Sequence, residues 1–238
     1  MAASGRPAGP EVIWARSERT GRGPRPAHSR AEIAAAAVRV ADADGLDAVS
    51  MRRVAAEIGC GTMSLYNYVP RKEDLYELMV DAAAGEYDLS GPPPADWRAG
   101  TLGLARQMRA LMRRHPWLPR LLVPEYGFSP NALRYLEYAL WTLEPLEADG
   151  ATKLELISML HAVVAAYVTH EVAGAERART SPWAPGEEQP ARHAHLARAL
   201  AEGAHPRLAA AFAEAPAVPD PDALFERSVN RLLNGFGR

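Results

Sequence analysis

The chain has 238 residues, 48% of them apolar, so it can bury one large core or two smaller ones. Its 27 Lys and Arg stand against 29 Asp and Glu, and a net charge of −2 argues for no polyanionic partner by itself. A single cysteine, Cys60, excludes an internal disulfide framework and a multi-cysteine metal site; no run approaches the roughly 20 apolar residues of a membrane helix, and no signal peptide opens the chain, so a cytoplasmic protein without a membrane partner is expected.

Charge is unevenly placed. Residues 1–28 hold five arginines against two glutamates, and residues 29–88 hold six Lys or Arg against eleven Asp or Glu. A nucleic-acid reader with this acidic body must gather its cations locally. The candidates are the arm, Arg30, Arg52, Arg53, Arg71 and Lys72, with Asp42, Asp44, Asp47, Asp81, Glu86 and Asp88 turned away from phosphates. An ordinary mixed surface with a disordered arm is the competing account.

No span alternates as a sheet strand does, so the expected class is all-α. Residues 1–28, rich in Pro, Gly and Arg, read as a flexible basic arm. Ser29 with Glu32 forms a capping box that opens a helix to about Asp44, with Ile33, Ala36, Ala37, Val40 and Ala41 inward. Ser50 caps a short helix, Gly59 supplies a left-handed turn, and a third helix runs from Thr62 to about Tyr68. Pro70 interrupts, and a fourth helix starts near Lys72. After a break at Gly91–Pro94, helices are expected over about 95–114, 117–122, 131–147, 151–172, 191–202, 206–214 and 222–236. Residues 174–190 lack periodicity and read as a mobile excursion.

The stretch Ser50–Leu75, SMRRVAAEIGCGTMSLYNYVPRKEDL, carries the chemistry. Two short helices joined by a glycine turn suit a helix-turn-helix whose second helix enters the major groove. Val54, Ala55, Ile58, Leu65 and Val69 form its seam. Thr62 can cap, bond phosphate or touch a base, and Met63 and Ser64 lie beside it. Asn67 suits adenine, and the hydroxyls of Tyr66 and Tyr68 suit phosphate or base edges, though Tyr68 can equally pack. Lys72 and Arg52 can hold phosphates near helix starts. In the arm fragment TGRGPRP, Arg25 can enter a minor groove, or the arm can be a solubilising extension.

Residues 29–82 resemble the N-terminal domain of the TetR/AcrR family of bacterial transcriptional repressors, in the pieces IAAAAVRVADADGLDAVSMRRVAAEIG, SLYNYV and PRKEDLYELM. Val69 replaces a common Phe, and GCGTMS departs from the usual helix start. The resemblance implies a helix-turn-helix domain over 29–90 that contacts DNA through Arg52, Thr62, Met63, Ser64, Tyr66, Asn67, Tyr68 and Lys72. It also implies a helical effector-binding and dimerisation domain over 94–238. RHPWLPRLL and GFSPNALRYLEYAL are similar, more loosely, to the regulatory domain of the tetracycline repressor. That likeness places a homodimer interface on the helices over 151–172 and 222–236, through Leu154, Ile157, Val164, Val168, Phe225, Val229 and Leu232.

A pocket between such helices combines apolar walls with a few polar groups. Its candidate lining is Met108, Met112, Trp117, Leu121, Phe128, Tyr138, Trp141, His161 and His170, each of which could instead be core. His193 and His195 lack metal-ligand company and read as surface residues. No nucleophile–base pair, phosphate loop or metal spacing supports an enzyme, and no cofactor is expected. The expected function is a ligand-responsive repressor that leaves a palindromic double-stranded operator when a small, largely apolar molecule binds. Activation through the same contacts stays open, and a helical interaction protein is the remaining alternative.

Overall fold

Ser29 caps the first helix as its sequence requires: its Oγ accepts from the Glu32 amide at 3.1 Å, and Glu32 accepts from the Ser29 amide at 2.7 Å. The computed structural model describes residues 12–16, 28–122, 128–184, 186–214 and 220–237, and these form helices without a strand. Helices α1 (Arg30–Asp44), α2 (Met51–Glu57), α3 (Thr62–Tyr66) and α4 (Lys72–Ala84) make the N-terminal head. Helices α5 (Trp97–Arg114), α6 (Pro130–Thr142), α7 (Gly150–Thr180) and α10 (Pro221–Asn234) pack into the larger part. Helices α8 (Glu188–Ala201) and α9 (Pro206–Glu214) pair with each other and bury none of their residues.

The head closes on Ile33, Ala37, Val54, Ala55, Leu65, Val69, Leu75 and Met79, all buried. Gly59 turns between α2 and α3 with φ +72°, a region that disfavours a Cβ. The reading helix is shorter than expected, because Asn67 already serves as its C-cap, and Gly61 rather than Thr62 stands at its N-cap. Part of the expected flexible arm is anchored. Val12-Ile13-Trp14 is the cluster of large apolar side chains there; Ile13 is fully buried in the head and Trp14 packs beside it. The whole of TGRGPRP, with Arg25, lies outside the described residues.

Two expectations are corrected in the larger part. Helix α7 runs to Thr180, eight residues beyond Val172, and α8 starts at Glu188, so both ends of the expected excursion over 174–190 are helical. Ala173, Ala175 and Ala178 favour helix, Glu176 pairs with Arg179, and Pro182 ends the run. Helix α7 is also long and apolar enough, by length and composition, to cross a membrane, contrary to the expected absence of such a run. Its alanines raise its apolar content without giving it large side chains to bury, and one side packs on α5, α6 and α10. Gly100 lets α5 approach α6 closely: a Cβ there would stand 2.6 Å from the Thr142 methyl.

Candidate nucleic-acid interface and ligand cavity

Helix α3 is pinned by one side chain. Leu65 is fully buried against α2, which leaves Met63, Ser64, Tyr66 and Asn67 exposed around it and Thr62 half-buried. Met63 is 78% exposed, far more than a core methionine would be. Tyr68 is half-buried, packs against the core and meets the His28 ring edge-on at 6.4 Å. Lys72 is exposed at the first position of α4, with its ammonium 5.2 Å from the Tyr76 ring centroid.

The cations divide into two sets. Arg53 is paired with Asp44 at 3.2 Å, Arg39 with Glu57 at 3.4 Å, and Arg71 with the buried Asp74 at 2.5 Å. Arg52 and Lys72 have no carboxylate partner among the described residues. The head's cations without a carboxylate partner among the described residues, Arg30, Arg52 and Lys72, therefore stand in the first turns of α1, α2 and α4. Arg53 and Arg71, named above as candidates, are occupied by carboxylates of the head.

The head's acidic residues meet the second part of the chain. His115 caps the C-terminus of α5 and is buried; its Nδ1 is 2.8 Å from Asp42 Oδ1 and its Nε2 2.9 Å from Glu86 Oε1. The Trp117 indole donates to the same Asp42 oxygen at 2.7 Å. Arg114 donates to Glu86 at 2.8 Å, and Arg120 to Asp47 at 2.8 Å. Burial would raise the Glu86 carboxyl, but Arg114 and His115 outweigh it and hold the group low. Arg120 holds Asp47 low by its hydrogen bond. Further along, Asp81 accepts from the Asn131 amide at 2.7 Å. One connector, residues 115–122, thus grips α1, the turn after it and the end of α4.

The other side of that connector faces a cavity of about 600 Å³. Leu118, Pro119, Leu121 and Leu122 form one wall, and α4, α5, α6 and α7 supply the rest. Of the nine lining candidates, Met108, Met112, Leu121, Phe128 and His161 border it. Four do not. Trp117 is 3% exposed and spends its N–H on Asp42; Tyr138 and Trp141 border a separate surface cleft. His170 faces outward and bonds the Ala166 carbonyl at 2.8 Å. Tyr135, missed in the sequence, is the cavity's buried polar group: its hydroxyl lies 3.1 Å from His161 Nε2, and its ring lies 4.6 Å from that of Tyr87. Burial pushes the His161 imidazole down to about 4 and the Tyr135 phenol far up.

Of the residues expected at a dimer interface, most are used within this chain, while Leu154, 48% exposed, and Leu232 keep accessible surface. Leu154 and Ile157 border the cavity. Val164, Val168, Phe225 and Val229 are fully buried within this chain, so they have no surface left for a partner; Leu232 is half-buried. Arg109, 7% exposed at its side chain, ties α5 to α7 and α10 through Glu171 at 2.5 Å and Asp222 at 2.9 Å. Its guanidinium lies over the Phe225 ring at 4.4 Å. Among the described residues no cluster of His, Cys, Asp or Glu could hold a metal ion.

Known proteins share this plan. Residues 33–79 match the model of the tetR family of bacterial regulatory proteins, and residues 90–238 match that of the tetracyclin repressor-like C-terminal domain. The HTH-type transcriptional repressor DrrR1 of Streptomyces coeruleorubidus is 36% identical over 95% of this chain and 83% of its own length. An HTH-type transcriptional regulator of Saccharopolyspora erythraea is 30% identical over 95% of this chain and 92% of its own. Apo ActR of Streptomyces coelicolor shares the fold at TM-score 0.73 and 23% identity, over 90% of this chain and 96% of its own. ActR has also been solved with actinorhodin, at TM-score 0.63 and 23% identity, over 88% of this chain and 96% of its own. A reading helix carried on a head, a polar junction and a helical domain with an apolar cavity agree with these matches: the chain belongs to the TetR family and is a DNA-binding transcriptional repressor, not an enzyme.

Proposed function

We propose that this repressor works as a homodimer whose two α3 helices read the halves of a palindromic operator, and that a small, largely apolar effector in the 600 Å³ cavity releases it. The observation that carries the reading is the 115–122 connector, which walls the cavity on one side and bonds the head on the other. The DNA contacts are Arg52, Thr62, Met63, Ser64, Tyr66, Asn67, Tyr68 and Lys72, with Arg25 reaching the minor groove. The protein acts in the cytoplasm, where the DNA is.

The dimer uses the faces of α7 and α10 that the chain's own core leaves open. Met159 is 41% exposed, and Ala166 and Ala173 are exposed on the same long helix. A second copy covers this alanine-rich apolar side, which would otherwise lie in water. An effector that fills the cavity moves the connector; Asp42, Asp47 and Glu86 move with it, and the separation of the heads changes. This is a shift between DNA-competent and effector-bound populations. Ligand-bound ActR supports a ligand-responsive reading of the shared fold.

A mobility shift on the DNA beside the protein's own gene tests the proposal. The wild type should retard the fragment, and the variant carrying Tyr66→Ala and Lys72→Ala should not, with unchanged thermal unfolding. Full retention of affinity in that variant would remove the assigned docking face.

A further inference from the structure

The cavity walls carry no charged side chain among the described residues; their polar members are Tyr87, Tyr135, Ser158 and His161. Tyr135 and His161 set a specific demand. The Tyr135 hydroxyl is buried, and its partner among the described residues is His161 Nε2 at 3.1 Å. A buried phenol that does not donate leaves its proton unsatisfied, which costs more than an under-used acceptor. The phenol therefore donates to Nε2. Nε2 then bears no proton of its own, so the neutral ring carries its proton on Nδ1. That Nδ1–H has no acceptor among the described residues, whereas the His170 ring is satisfied by the carbonyl of Ala166. His161 borders the cavity, so a molecule that fills it can supply the acceptor that the described residues do not. The imidazole stays neutral because burial pushes its pKa down to about 4.

We infer that the effector is an uncharged, ring-bearing molecule whose carbonyl-type oxygen accepts the Nδ1–H of His161, and that Tyr135 acts as a positioning residue by fixing the imidazole tautomer. A charge of either sign would enter without a counter-charge from the described walls, which burial penalises strongly. Rings suit the aromatic faces of Tyr87 and Phe128 and the adaptable thioethers of Met108 and Met112. The inference rests on the regulatory reading above, and it adds the chemical class of the effector.

Three tricyclic probes of similar size separate the possibilities: xanthone, with a ring carbonyl and no donor; carbazole, with an N–H donor and no comparable acceptor; and 9-aminoacridine, a cation at neutral pH. Calorimetry on the full chain should show xanthone binding about tenfold tighter than carbazole, the scale of one buried hydrogen bond, and 9-aminoacridine weakest. His161→Leu should bring xanthone and carbazole to similar affinity, while His161→Gln, which keeps a donor, should restore part of the xanthone preference. Tyr135→Phe should narrow the preference at nearly unchanged carbazole affinity, because the ring can then present either nitrogen form; a purely structural role would lower both affinities together. Equal binding of xanthone and carbazole, tightest binding of 9-aminoacridine, or no binding of any probe would overturn the inference. Operator release is read separately on the same samples. A bound probe that releases DNA without the carbonyl preference sinks the inference alone, and xanthone binding with that preference but unchanged operator affinity sinks the regulatory reading alone.

Discussion

Lys72 and Arg52 lie where their charge is not cancelled by the head's own carboxylates, while Arg53 and Arg71 are paired. A phosphate contact from Lys72 acts on every sequence alike, so Lys72→Ala should weaken operator and random DNA together and lower the salt slope of binding by about one unit. Filter binding across a salt series measures this. His161 gives a second expectation, in pH. Its folded pKa, about 4, lies below the ordinary 6.5, so the unfolded chain takes up a proton in that window that the folded one refuses. Stability should carry no cost from this group above about pH 6.5, and should fall as pH drops toward about 4, by at most about 3 kcal/mol through linkage. Thermal melts of wild type and His161→Gln between pH 4.5 and 7.5 check the sign: the variant should show the shallower slope. The outward position of His170 was open to inspection, since nine residues are about two and a half helical turns, which puts it on the face opposite His161. The Tyr135–His161 bond was not, because 26 positions separate the pair on two different helices.

Helix boundaries followed local rules wherever a cap or a breaker stood in the chain. Ser29, Ser50, Asp96 and Asp149 each accept an amide of the helix they start, and such caps are local hydrogen bonds that spacing reveals. The length of α7 was harder, because alanine and charged residues without large apolar ones fit both a solvated helix and a loop. The connector over 115–122 was harder still. Its 3₁₀ turn, Leu118–Leu121, falls inside the helix expected over 117–122, but its partners Asp42 and Asp47 lie 73 to 75 residues away. We expect Asp42→Asn to weaken this grip, and Trp117→Phe to remove one of its bonds at small loss of packing. Both variants should bind effector close to normally and should need several-fold more of it to release the operator. Paired titrations of effector binding and operator release test this; a loss of both activities together would mean that the junction only holds the fold.

A pair of reading heads is useful only if a second copy fixes their spacing, and this chain leaves one side of α7 open for it. Met159→Asp on that side should give monomers by light scattering, and operator affinity should fall at least tenfold, since one head alone loses half of its contacts. A dimeric variant with full affinity would move the interface elsewhere. The amino-acid order was enough to establish an all-helical chain and a reading helix with Leu65 turned inward, because these depend on short-range period, caps and turns, and the likeness of SLYNYV and PRKEDLYELM to a known family pointed to the family. The order could not divide the apolar residues among their uses. Val164, Val168, Phe225 and Val229 read as a partner's contacts and fill the chain's own core, Leu154 and Ile157 border the cavity, and Trp117 serves the junction. Core, cavity wall and interface all select the same greasy side chains, and only the packing of α5, α6, α7 and α10 decides which surface each one meets.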